Sequence, residues 1–134
     1  MEKILELLKS SKTIAVVGIS SDNEKPSYKV AEYLKKNGYK IIPVNPKYET
    51  VLGEKCYKTL SEIKEPIDIV DVFRKKDDIL PIAEEALKLK PKIFWMQLGI
   101  ENETAKKLLE ANGIFVVENT CLKVFHSSNM EKLL

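Results

Sequence analysis

Gly18-Ile19-Ser20-Ser21, continuing into Lys25-Pro26-Ser27-Tyr28, is the stretch with the clearest chemical capacity. Ile14 to Val17 ahead of it is a short apolar run that predicts a buried strand. Gly18 breaks that run, and Pro26-Ser27 opens a helical pattern with Ser27 as its expected N-cap. A strand, a glycine turn and a helix start make a corner that attracts anions. Loop N–H groups and the positive end of the helix dipole converge there. The chemistry predicted is phosphate binding.

Such a corner needs a scaffold, and the rest of the chain supplies one. Ile4, Leu5 and Leu8 mark a first short helix. Val30, Ala31 and Leu34 form the inner face of a helix that stops at Asn37-Gly38. Tyr39 to Val44 is the second predicted strand, Ile67 to Phe73 the third, Ile93 to Met96 the fourth and Ile114 to Val117 the fifth. Between the second and third lies an excursion with little regular structure and a short helical turn near Leu60. Helices are expected from Asp77-Asp78 to Pro91 and from Asn102-Glu103 to Asn112-Gly113. The segment from Asn119 to Leu134 is expected to be irregular.

Strands alternating with helices imply repeated βαβ units and a parallel sheet with right-handed crossovers. The expected fold is α/β: a Rossmann-like three-layer domain spanning residues 1–134, with a five-stranded parallel sheet in the order 3-2-1-4-5. Its ligand crevice is expected at the carboxyl ends of the strands, where the order reverses between strands one and four.

Composition narrows the partners. The 134 residues are 44% hydrophobic and 31% charged, with a net charge of +2. That balance disfavours disorder and gives no case for nucleic acid. No apolar run is long enough to span a bilayer, and no signal peptide is visible, so a cytoplasmic location is expected. The two cysteines, Cys56 and Cys121, and the single histidine, His126, form neither a disulfide framework nor a metal pattern.

The strand ends then define the ligand. They carry Gly18 to Ser21, Asn45-Pro46-Lys47, Phe73-Arg74, Gln97-Leu98-Gly99 and Glu118 to Cys121. A NAD site calls for further glycines after strand one and an acidic residue after strand two, and both are missing. The Gly-Lys-Ser/Thr end of a P-loop is also missing. Lys47 suits a phosphate on the adenosine ribose. These features favour a ligand with an adenosine end, a pyrophosphate and an extra ribose phosphate, and NADP and coenzyme A both qualify.

Several residues together carry a family resemblance. They are Val17-Gly18-Ile19-Ser20, Gly38-Tyr39 with Pro43-Val44-Asn45-Pro46, Val70 to Arg74, and Trp95 to Gly99 with Asn102-Glu103. In this order the chain, from about Lys12 to Cys121, resembles the small single-domain coenzyme A-binding proteins. Their fold is similar to the N-terminal domain of the succinyl-CoA synthetase α subunit. The resemblance implies CoA or acyl-CoA as ligand. Gly18, Ile19, Ser20 and Ser21 would line the pyrophosphate loop, beside Lys25 and the helix opened by Ser27 and Tyr28. Asn45, Pro46 and Lys47 would meet the nucleotide phosphates, Phe73 and Arg74 the adenine or its phosphates, and Gln97, Leu98 and Gly99 the pantetheine arm. The tail reads Asn119-Thr120-Cys121 where related proteins usually carry Asp-Arg-Cys.

Plainer roles stand beside these. Trp95 is expected in the core. Cys121 is expected to be buried and inert, because no base is placed beside it. His126 is expected at the surface. Asp68 and Asp71, three apart on a strand, point to opposite faces and form no catalytic pair. Asp77-Asp78 complements a helix dipole. No complete catalytic apparatus is visible. The expected function is therefore a binding module: a carrier, sensor or regulator. The alternatives are a minimal NADP-dependent oxidoreductase and an interaction protein with a vestigial nucleotide site.

Overall fold

The computed structural model describes residues 1–134. Helix α1 (Glu2–Lys9) leads into β1 (Thr13–Val17), α2 (Pro26–Lys36) and β2 (Lys40–Val44). A small hairpin follows, β3 (Thr50–Val51) with β4 (Glu54–Lys55), and then a 3₁₀ turn at Leu60–Glu62. Next come β5 (Ile69–Val72), a 3₁₀ turn at Lys76–Asp78, α3 (Ile79–Leu89), β6 (Ile93–Met96), α4 (Glu103–Ala111) and β7 (Phe115–Val117). Helices α5 (Leu122–Ser128) and α6 (Met130–Leu133) complete the chain.

The main sheet is five-stranded, with every pair parallel, and the fold is α/β and Rossmann-like as expected. Alternation along the strands divides the core in two. Ala15, Val17, Val70, Val72, Phe94 and Met96 face α3 and α4, while Ile14, Val16, Ile69, Ile93 and Trp95 face α1, α2 and α5. The excursion after β2 is more regular than expected, because it contains the β3–β4 hairpin.

The observed strand order is β2-β1-β5-β6-β7. The third long strand, β5, thus pairs with β1, with Val17 beside Val72, and does not lie outside β2. This corrects the expected 3-2-1-4-5 arrangement to 2-1-3-4-5, counting the long strands alone. Pro43 supplies the physical reason. It sits inside β2, has no N–H to give a second neighbour, and belongs on an edge strand. The order therefore reverses between β1 and β5, which puts the crevice between Gly18 and Phe73.

The C-terminal segment is helical, not irregular. Leu122 and His126, four apart on α5, are both buried against the α2 side of the sheet. His126 is therefore not a surface residue: its Nδ1 lies 2.8 Å from the Tyr33 hydroxyl on α2. The Tyr33 and Tyr39 rings meet it edge-on, and burial lowers its pKa.

Candidate functional site

All five parallel strands deliver their carboxyl ends to one rim. The Gly18 N–H donates to the Val44 carbonyl at 2.9 Å, which ties the tip of β1 to the tip of β2. Gly18 has a φ of +84°, and a Cβ built there would lie 2.6 Å from the Phe73 carbonyl oxygen. The glycine thus permits both a left-handed turn and a close approach by the β5 loop.

The loop after Gly18 is held from within. Ser27 does not cap α2. Lys25 precedes the helix, Pro26 takes its first position, and the Ser27 hydroxyl accepts the Ser20 N–H at 2.9 Å. The Ser20 hydroxyl accepts the Asp22 N–H at 3.0 Å. The N–H groups of Ile19, Ser27 and Tyr28 have no acceptor within the chain. Ile19 buries its side chain completely, so only its backbone is offered to a ligand. Ser21 and Lys25 are exposed, and Tyr28 is half-buried against the α2-side core. Tyr48 joins this loop from the turn after β2. The hydroxyls of Ser21 and Ser20 hold its phenol below the ordinary tyrosine range.

Asn45 fastens the two loops. Its amide nitrogen donates to the Ile19 carbonyl at 2.9 Å, and its side-chain oxygen accepts the Lys47 N–H at 3.0 Å. Pro46 and Lys47 are exposed beyond it.

Two cavities open on the rim. The first, about 280 Å³, lies between the β1 and β2 tips and α3; Gly18, Asn45, Pro46, Lys58 and Arg74 line it, with Asp78 and Glu85 opposite. The second, about 540 Å³, lies between α2 and the β5 and β6 tips; its wall is mainly apolar and includes Pro26, Val30, Phe73, Leu98, Ile100 and Cys121. Arg74 and Gln97 also border this second cavity, so Arg74 is shared by both. Arg74 is not a lone cation: its Nη2 lies 3.1 Å from Asp78 Oδ2.

The structure therefore gathers Gly18, Asn45, Pro46 and Arg74 around one cavity, and Phe73, Arg74, Gln97 and Leu98 around the other. Ile19, Ser20, Ser21, Lys25, Ser27, Tyr28, Lys47 and Gly99 line neither, so the loop after β1 lies beside the two cavities rather than in their walls. Gly99, with a φ of +84°, gives its N–H to Asn119 Oδ1 at 2.6 Å, so Asn119 ties down the loop after β6. Trp95 is fully buried as expected, and its indole N–H donates to the Thr120 carbonyl at 2.7 Å. Cys121 is half-buried on the cavity wall rather than sealed in the core.

Sequence reasoning missed Lys58, Tyr48 and Asp71. Lys58 and Tyr48 come from the excursion, whose path no periodicity announces. Asp71 has a signal, a carboxylate inside an apolar strand, which excluding a catalytic pair with Asp68 leaves unexplained. It is fully buried on β5, where it accepts a hydrogen bond from Gln97 Nε2. Burial pushes its carboxyl up to about 7, against the opposing pull of that hydrogen bond.

Known proteins are similar to this chain in sequence and in fold. YneT, an uncharacterized protein of Bacillus subtilis, is 42% identical over 125 residues, covering 93% of each chain. A hypothetical protein from Pyrococcus horikoshii has a similar structure, with a TM-score of 0.93 at 38% identity, covering 96% of this chain and 91% of that one. The ADP-forming acetate–CoA ligase of Methanocaldococcus jannaschii is 31% identical over 84 residues; the match takes in 63% of this chain and only 12% of the ligase. The CoA binding domain family matches residues 12–127, a span that holds every strand and both cavities, and the chain belongs to that family.

Proposed function

We propose that the chain binds coenzyme A, or an acyl-CoA, along this rim. The adenosine and phosphate end occupies the cavity beside Gly18, Asn45, Pro46 and Arg74, and the pantetheine arm runs into the apolar cavity beside Phe73, Gln97 and Leu98. The supporting observation is that Arg74 borders both cavities, so one elongated ligand passes it on the way from one to the other. The chemistry of the two walls fits the ligand's two halves. The first has charged side chains at its wall, Lys58 and Arg74 facing Asp78 and Glu85, and the second is mainly apolar. Their volumes fall at about the scale of ordinary ligand clefts, roughly 300–1,000 Å³.

Ile19, Ser27 and Tyr28 offer their N–H groups to the pyrophosphate, with Ser20, Ser21 and Lys25 around them. Lys47, next to cavity-lining Pro46, and Lys58 supply charge for the ribose phosphate. Gly99 completes the loop that borders the arm. The chain works as a carrier, sensor or regulator inside the cytoplasm, not as a catalyst. The absence of a catalytic role is supported by the chain's one imidazole, His126, whose Nδ1 is engaged by Tyr33.

Titration calorimetry with CoA, dephospho-CoA, NADP and ATP tests the reading. CoA is expected to bind tightest and dephospho-CoA more weakly. Equal affinities for those two would remove the ribose-phosphate role of Lys47 and Lys58. Tighter binding of NADP would favour the oxidoreductase. No binding of any of the four would end the proposal.

A further inference from the structure

Asp71 Oδ2 is the one fully enclosed side-chain oxygen or nitrogen in the chain that has no hydrogen-bond partner. Its sister atom Oδ1 accepts from Gln97 Nε2. Val16 and Trp95 flank Asp71 on the neighbouring strands, and both are apolar. An unsatisfied carboxylate in such a place is costly unless it serves something.

Gln97 is the only polar contact of that carboxyl, and Gln97 is itself 4% exposed and lines the apolar cavity. Its amide carbonyl has no partner in the protein, yet it is not among the enclosed orphans, so it reaches the space that Gln97 borders. An ionised carboxylate accepts only, so it turns the amide nitrogen inward and leaves the carbonyl facing out. A neutral carboxyl carries a donor and also tolerates the reversed amide.

We infer that Asp71 is a positioning residue: by accepting from Gln97 Nε2 it aims the Gln97 carbonyl oxygen into the apolar cavity, which thereby selects a ligand segment bearing an N–H donor. The ligand class is a secondary amide with apolar flanks, and the inference rests on CoA as the ligand, whose arm carries such amides. Protonation of Asp71 weakens the selection because the amide is then free to turn over. The carboxyl's raised pKa places that change near neutrality. The other titratable or charged groups around the cavity are Arg74 and Lys75 from the turn after β5 and the Cys121 thiol before α5. The remaining wall, from α2 and the β6 loop, contributes Pro26, Val30, Leu98 and Ile100, which do not titrate. No ion pair reaches Asp71, so none of these cations holds it ionised.

The test uses the full chain, its Asp71→Asn variant and its Gln97→Leu variant, from about pH 5.5 to about pH 8.5. In ligand-free protein the Gln97 side-chain NH₂ signals, followed by NMR, are expected to shift with a midpoint near that of Asp71. In Asp71→Asn they are expected to stay put. CoA affinity of the wild type is expected to rise severalfold from the acid to the alkaline end, beyond any change seen in Asp71→Asn, which shares the ligand's own titrations. Gln97→Leu is expected to bind CoA about tenfold more weakly, the loss of one hydrogen bond. Still Gln97 signals in the wild type, or matching pH profiles for wild type and Asp71→Asn, would overturn the inference. Failure of the wild type to bind CoA would instead defeat the ligand assignment, while the ligand-free NMR titration would still decide the role of Asp71.

Discussion

Gly18 and Phe73 touch across the switch point of the sheet. A Cβ on residue 18 would stand 2.6 Å from the Phe73 carbonyl oxygen and 2.8 Å from Arg74 Cδ. The arginine chain could swing aside, but the backbone carbonyl is fixed just past the end of β5, where the Phe73 N–H donates to Val17 O at 2.9 Å. Any larger residue at 18 therefore works against the contact between β1 and β5 before a ligand arrives. Gly18→Ala is expected to lower stability by about 1–3 kcal/mol, from overpacking together with the unfavourable positive φ. Gly18→Val is expected to cost more. Urea unfolding of the ligand-free protein checks this, and unchanged midpoints would show that the loop yields freely.

Arg74 is held by Asp78, so the two must be tested together. Arg74→Ala is expected to weaken CoA binding by roughly tenfold at low salt and to flatten its salt dependence. Asp78→Ala frees the guanidinium and removes a negative charge from the first cavity, so affinity is expected to rise. Calorimetry at two ionic strengths reads both. An Asp78→Ala variant that binds more weakly would mean that the pair positions Arg74 rather than restrains it.

Asp71 makes stability depend on pH. Its folded pKa lies near 7, above the ordinary value of 3.8, so the native state holds the proton more tightly than the unfolded chain does. Its favourable contribution is complete below about pH 4 and is lost as pH rises through about 7. Asp71→Asn removes that dependence. It is expected to be more stable than wild type at about pH 8 by roughly 2–4 kcal/mol, at about 1.4 kcal/mol per pH unit. Thermal unfolding of both proteins at acid and alkaline pH checks the sign.

His126 carries the opposite sign. Burial lowers its folded pKa below 6.5, so the neutral ring is favoured in the native state. Its contribution is present above 6.5 and is lost as pH falls through the folded value. His126→Gln is expected to be less stable than wild type at neutral pH, because the edge-on contacts with Tyr33 and Tyr39 are lost. That gap is expected to narrow towards pH 5. A constant gap would mean that the imidazole stays neutral throughout.

Much of this was legible in the chain itself. The five long strands read correctly because continuous apolar runs and the Asn37-Gly38 and Asn112-Gly113 stops are local signals. The expected helix start at Asn102 is also a local effect, and its side chain accepts the Ala105 N–H at 2.9 Å. Strand order is not local. Pro43 carried the information, but reading it required asking which neighbours a strand without one N–H can have. The tail misled because Asn119, Thr120 and the serines around His126 look like loop residues. The helix there is held by tertiary contacts of Leu122, Phe125 and His126, not by intrinsic propensity. The structure brings the loop residues Ser20, Ser27 and Asn45 together at the tips of β1 and β2. The bonds that hold them, Ser20 N–H to the Ser27 hydroxyl and the Asn45 amide to the Ile19 carbonyl, could not be foreseen, because they join segments up to 26 residues apart.

The excursion after β2 also has a bearing on solubility. Tyr57 runs alongside the outer margin of β2, donating its N–H to Pro43 O at 2.9 Å and accepting from Asn45 N–H at 2.8 Å. Together with the proline, this closes the tip of that margin to an incoming strand from another molecule. The opposite margin, β7, is three residues long and offers little to template. Intermolecular β-sheet growth, the usual route to aggregation for an open sheet, is thus hindered at the tip of one flank and starved at the other.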